Sequence, residues 1–147
     1  MEGARMWRVA GAALLASGLG VAHAQTGSGP AHAAKQRVVL QVSDAEPAKW
    51  NLALNNARNV VQDLGAGNVE VEIVAYGPGI GMIKNGSPVA QRIDEATLSG
   101  MKVVACENTM HAQKLTKADM LSGISYVPAG VVEIMKRQQE GWAYIKP

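Results

Sequence analysis

Cys106 is the only cysteine in the 147-residue chain, and it closes a β-branched run, Lys102-Val103-Val104-Ala105-Cys106. Asn108 and Thr109 follow, residues suited to capping a helix by accepting bonds from its free N–H groups. A thiol between a strand and a helix N-terminus has its thiolate stabilised by that terminus, the first requirement for nucleophilic or redox sulfur chemistry. Glu107 works against this through like-charge repulsion. The alternative is that Cys106 fills the core as a small hydrophobe, since free cysteine is among the most buried residue types. With one cysteine, no intramolecular disulfide can form.

His111 lies five residues beyond Cys106 and is placed either to act as its base or to point into water. The other two histidines, His23 and His32, precede the domain, so a metal site lacks ligands at usable spacing. The glycine-rich stretch Gly77-Pro78-Gly79-Ile80-Gly81 invites a phosphate-binding reading. Met82 stands where the dinucleotide fingerprint needs glycine, and the stretch follows the second strand of the pattern, not the first. A tight turn that brings its backbone close to the Cys106 loop is the simpler account. Asp44, after the first strand, either faces that same loop or caps the helix entered at Pro47, and the cap is the preferred reading. No cofactor is implied.

The elements that must hold these residues follow from periodicity. Arg37-Val38-Val39-Leu40-Gln41-Val42 is a near-continuous apolar run, which suits a strand covered on both faces. Trp50, Leu54, Ala57, Val61 and Leu64 recur at helical spacing after Pro47, and Gly65 and Gly67 end that helix. Val69, Val71, Ile73 and Ala75 alternate with Glu70, Glu72 and Val74, which predicts a partly exposed strand near a sheet edge. Ser87-Pro88 opens a helix carrying Val89, Ile93 and Ala96. The third strand ends at Cys106, and a short helical turn is expected around 117–121. A modest strand at Ile124-Ser125-Tyr126-Val127, a helix over 129–139 and a last strand over 142–145 complete the pattern. Strands alternating with helices imply right-handed βαβ units, hence a three-layer α/β/α fold with a mainly parallel sheet of about five strands. In such folds ligands gather at the carboxyl ends of the strands, where Cys106 lies.

The N-terminus carries Arg5 and Arg8 before an uncharged stretch, 9–22, too short to span a bilayer, and closes on Ala22-His23-Ala24. This reads as a signal peptide (1–24) cut after Ala24, which makes the chain periplasmic or secreted with no stable membrane anchor afterwards. Residues 25–36, rich in Gly, Ser, Pro and Ala, read as a flexible leader before a domain over 37–147. Without Glu2, Arg5 and Arg8, the 14 basic and 12 acidic residues fall to 12 and 11. So balanced a chain is not built to grip nucleic acid or an anionic membrane.

Three blocks in order, Val39-Leu40-Gln41-Val42-Ser43-Asp44 with Trp50, then Val74-Ala75-Tyr76-Gly77-Pro78-Gly79, then Ala105-Cys106-Glu107-Asn108-Thr109-Met110, resemble the DsrE/DsrF-like family of small sulfur-relay-related proteins over residues 37–146. The resemblance implies a five-stranded parallel sheet, homo-oligomers, and a cysteine at Cys106 that carries persulfide sulfur in the relay members, with a sulfur donor or acceptor protein as partner. Gly77, Gly79 and Gly81 would then shape the pocket, and Asn108 and Thr109 would stabilise the sulfur anion. The second reading is a non-catalytic oligomeric module that binds a small ligand or partner, with Cys106 structural.

Overall fold

Apolar alternation builds the sheet. In the computed structural model, which describes residues 34–147, five strands run parallel: β1 (Gln36–Val42), β2 (Val69–Ala75), β3 (Lys102–Cys106), β4 (Ser125–Val127) and β5 (Ala143–Ile145). The expected signal peptide and most of the expected leader lie outside the described residues. β1 starts one residue before the run at Arg37, because Gln36 pairs with Val69.

The strand order is β4-β3-β2-β1-β5. The helices α1 (Pro47–Leu64) and α2 (Ala90–Leu98), with the short α3 (Glu107–Ala112), pack on one face, and α4 (Gly130–Gln139) packs on the other. This arrangement is what right-handed crossovers demand. The chain steps one way across the sheet from β1 to β4 with its helices on one side, then doubles back through α4 to pair β5 with β1.

The larger core lies under α1 and α2, where Leu40, Ile73, Ile80, Met82, Ile83 and Ile93 are fully buried. Each such side chain contributes about 1.5–3 kcal/mol of transfer free energy. On the helical stripe of α1, Trp50, Leu54 and Ala57 are buried and Val61 is half-buried. Leu64 instead comes out exposed in the last turn.

Two expectations are corrected. β2 is the central strand, not an edge strand, and Glu72 on it is completely buried. Its carboxylate is neutralised by Arg137 of α4, at 2.9 Å, and by Lys102 of β3, at 3.3 Å, which removes the penalty that makes a buried acid look implausible. Asp44 is not the cap of α1: the N-cap is Glu46, with no side-chain cap bond, and Pro47 opens the helix. Asp44 contributes its backbone carbonyl instead, which accepts the Trp50 indole N–H at 2.7 Å and pins the start of α1 to the end of β1.

Candidate functional site around Cys106

Cys106 ends β3 and is itself the N-cap of α3, so the helix starts at Glu107, and Asn108 and Thr109 lie inside its first turn. The side-chain cap expected from Asn108 or Thr109 is absent. Thr109 turns its hydroxyl to two other tasks. It accepts the Gly77 N–H at 2.9 Å, and it lies close enough to the Cys106 sulfur to lower the thiol pKa.

A second helix N-terminus reaches the same sulfur. Val127 of β4 pairs with Cys106, and three residues beyond Val127 the chain enters α4 at Gly130, which lies against Cys106 and whose backbone N–H lowers the thiol pKa. The Asn108 N–H, held on the Pro128 carbonyl at 3.0 Å, ties the start of α3 to the turn before α4.

Cys106 is only 5 % exposed. Burial pushes its thiol pKa up. The Thr109 hydroxyl and the backbone N–H groups of Gly130, Thr109 and Asn108 all pull it down, and together they prevail, so the thiol lies below its ordinary value. Neighbouring donors that outweigh burial leave the sulfur in surroundings that favour an anion.

Gly130 is required there by space. A Cβ at this position would stand 3.2 Å from the Cys106 Cβ and 3.1 Å from the Tyr76 Cβ, so a larger residue would push the helix terminus off the sulfur. Pro128 and Gly130 flanking a helix start were the only sequence signal for this residue, and sequence reasoning missed it.

Tyr76 is the other omission. The registers Val42↔Ala75 and Ala75↔Ala105 set Ser43 and Tyr76, just past the ends of β1 and β2, beside Cys106 at the end of β3. Burial, with the nearby Tyr144, Asp44 and Cys106, raises the Tyr76 phenol pKa, against a lowering hydrogen bond with Ser43. The Ser43 hydroxyl accepts from Gln41 Nε2 at 3.1 Å, and Gln41 Oε1 accepts the Tyr144 hydroxyl. A polar chain thus runs along the sheet end from β5 towards the sulfur, and Asp44 lies near its Tyr76 end.

The remaining predicted residues divide. The glycine-rich stretch is a 3-10 helix, Gly77–Ile83, whose first residue reaches α3: Gly77 also accepts from the Gln113 side chain at 3.2 Å. Gly79 faces β1, where a Cβ would come within 2.2 Å of the Val42 carbonyl oxygen. Gly81 packs under the Trp50 ring, away from the sulfur. His111 is exposed in the last turn of α3, beside Glu107 and Lys117, and is not among the groups bonded to Cys106. Among the described residues, no three His, Cys, Asp or Glu side chains are grouped to share a metal ion, and no helix is long and apolar enough to cross a membrane.

Fold and site together define a small doubly wound α/β protein with a single cysteine thiol at the carboxyl edge of a five-stranded parallel sheet. The chain belongs to the DsrE/DsrF-like family, whose model matches residues 27–147. Among solved structures it is similar to MTH1491 from Methanobacterium thermoautotrophicum, a protein of unknown function. The two are 35 % identical with a TM-score of 0.74, over 77 % of this chain and all of that one. Two further structures share the fold: the ychN protein from E. coli and BT1422 from Bacteroides thetaiotaomicron. The first is 12 % identical with a TM-score of 0.60, over 76 % of this chain and 99 % of that one. The second is 15 % identical with a TM-score of 0.62, over 76 % and 95 %. No curated protein matches the chain.

Proposed function

We propose that this protein is an exported sulfur carrier in which Cys106 accepts sulfane sulfur as a persulfide and passes it on. The observation that carries the reading is the place of Cys106 at the carboxyl end of the sheet, N-capping α3 and against the start of α4 at Gly130, where neighbouring donors lower its thiol pKa. Membership of a family related to sulfur-relay proteins supports it. In the accepting step the Cys106 thiolate attacks the outer sulfur of a donor persulfide, an S–S bond forms, and the donor leaves as a thiolate. In the releasing step an acceptor thiolate attacks the outer sulfur and Cys106 leaves as a thiolate, which its surroundings favour. Neither step needs an external oxidant or reductant.

Export rests on the N-terminal pattern of Arg5, Arg8, the uncharged stretch and Ala22-His23-Ala24. Self-association is supported by Val131, Met135 and Tyr144, large apolar side chains exposed on α4 and β5. The burial of Cys106 favours the second reading, an oligomeric binding module with a structural thiol.

Intact mass of protein purified from its compartment, before and after reductant, separates the two. A reducible gain of one sulfur atom, lost in Cys106→Ser, is the expected result. An unmodified thiol that stays unlabelled after incubation with a persulfide donor would sink the carrier.

A further inference from the structure

Cys106 faces α4. Val74 pairs with Val104, and both pack with Ile134 of α4; Cys106, two residues on from Val104, shares their side of the sheet. Gly130 closes over it, since a Cβ at Gly130 would stand 3.2 Å from the Cys106 Cβ, 3.2 Å from Val74 Cγ1 and 3.1 Å from the Tyr76 Cβ. Sulfur exchange depends on access of the attacking atom to the sulfur it attacks, and with 5 % of its surface exposed Cys106 gives little while these contacts hold. Exchange at this thiol therefore requires part of its cover to move.

The two helix starts beside the thiol are held very differently. α3 is clasped to the 3-10 helix: Thr109 Oγ1 accepts the Gly77 N–H at 2.9 Å, Gln113 Nε2 donates to the Gly77 carbonyl at 3.2 Å, and Met110 is buried. The far end of α4 is anchored as firmly. Arg137 reaches Glu72 on the central strand at 2.9 Å and lies 4.8 Å over the Trp142 ring. The first turn of α4, residues 130–133, has neither kind of hold. Its N-cap, Ala129, makes no side-chain cap bond, and Val131 and Val132 are exposed. Among the described residues the only side-chain bond from this turn runs from Arg137 to Glu133, within the helix itself. β4, which leads into the turn, is a three-residue edge strand, and the Asn108 N–H on the Pro128 carbonyl at 3.0 Å fastens the entry. An uncapped terminus forgoes about 1 kcal/mol. Such ends open locally at free energies well below that of global unfolding.

We infer that the first turn of α4 is a lid over Cys106. It lifts about the anchor of Arg137 on Glu72, and the thiol meets its sulfur donor and acceptor only while the turn is lifted. What enters rests on the carrier reading above; the lid itself rests on the packing at Gly130 and the unequal fastening of the two ends of α4. Between transfers the closed turn keeps solvent off the sulfur.

The test is alkylation of Cys106 in the full chain with iodoacetamide and with a bulky maleimide, read at the plateau of the pH profile, where the thiol is ionised in every variant. Each rate is divided by that of the same reagent on the urea-unfolded chain. A lid slows both reagents by the same factor, whereas a fixed crevice slows the bulky one far more. Ala129→Ser supplies the missing cap and should lower the plateau about fivefold. Gly130→Ala wedges the turn off Cys106 and should raise it about tenfold. If Gly130→Ala loses its cooperative melt, Ala129→Ser decides alone. Failure of the carrier reading would show as absent sulfur uptake with these rates as stated. A bulky reagent slowed disproportionately, a folded rate equal to the unfolded one, or a plateau that a folded variant leaves unchanged would each overturn the lid.

Discussion

The two ends of the sheet handle buried charge in opposite ways. At the carboxyl end a potential anion, the Cys106 sulfur, lies among neutral donors, the Thr109 hydroxyl and backbone N–H groups at two helix starts, that lower its pKa. At the amino end a buried carboxylate, Glu72, is met by the cationic side chains of Lys102 and Arg137, and one of its oxygens is without a partner among the described residues. Backbone dipoles cannot move away and carry no net charge, so they stabilise a thiolate without fixing it as an ion pair. Side-chain cations fully compensate a charge but can swing. The first arrangement suits chemistry at a fixed atom, and the second ties β3 and α4 to the central strand.

The largest blow to the carboxyl end is expected from Gly79→Ala. A Cβ placed 2.2 Å from the Val42 oxygen must drive the 3-10 helix away from β1, and a loss of more than about 4 kcal/mol is expected in chemical denaturation. A loss below about 1 kcal/mol would mean that the two backbones are not held in contact.

At the amino end, Arg137→Met should cost about 3–5 kcal/mol by stranding the Glu72 carboxylate. The double replacement Glu72→Met with Arg137→Met should recover most of that, since an apolar pair of similar volume avoids the desolvation of both charges. If the double variant is no more stable than the single one, the ionic cluster contributes more than neutralisation.

The smallest effect, and the most diagnostic for the sulfur, is Thr109→Val. It removes the side-chain donor, so the midpoint of the pH profile for Cys106 alkylation should rise towards the usual ~8.5. Linkage fixes the sign for stability. The folded thiol lies below its unfolded value, so its contribution is present above the unfolded pKa and is lost as pH falls through the folded pKa. Thr109→Val should flatten that dependence. An unchanged alkylation midpoint would remove the hydroxyl from the account of thiol activation.

Much of the fold was legible because its signals are local. The β-branched runs gave all five strands, and Pro47 and the flanking glycines marked the ends of α1. The error over β2 is instructive: Glu70 and Glu72 alternate as they would on a half-exposed strand. Only Glu70 is exposed, and what buries Glu72 is a cation 65 residues away on α4. The position of Cys106 could be read from its strand. Its donors could not all be read, because Gly130 reaches the sulfur through strand pairing and a crossover that no local pattern encodes. Asp44 misled for the converse reason: cap propensity is a local average, and here the tertiary bond from Trp50 to its carbonyl positions the helix start.

The return of the chain through α4 also sets a schedule for folding. β1 is among the first parts of the domain to be made, yet its outer edge is covered only when Ala143–Ile145 arrive, a pairing across roughly 100 residues that Arg37 secures by donating to the Glu140 carbonyl at 2.7 Å and by stacking on Trp142. Until then the sheet presents a long row of open N–H and C=O groups to any neighbouring strand. β5 therefore covers an open edge as well as adding a fifth strand to the sheet.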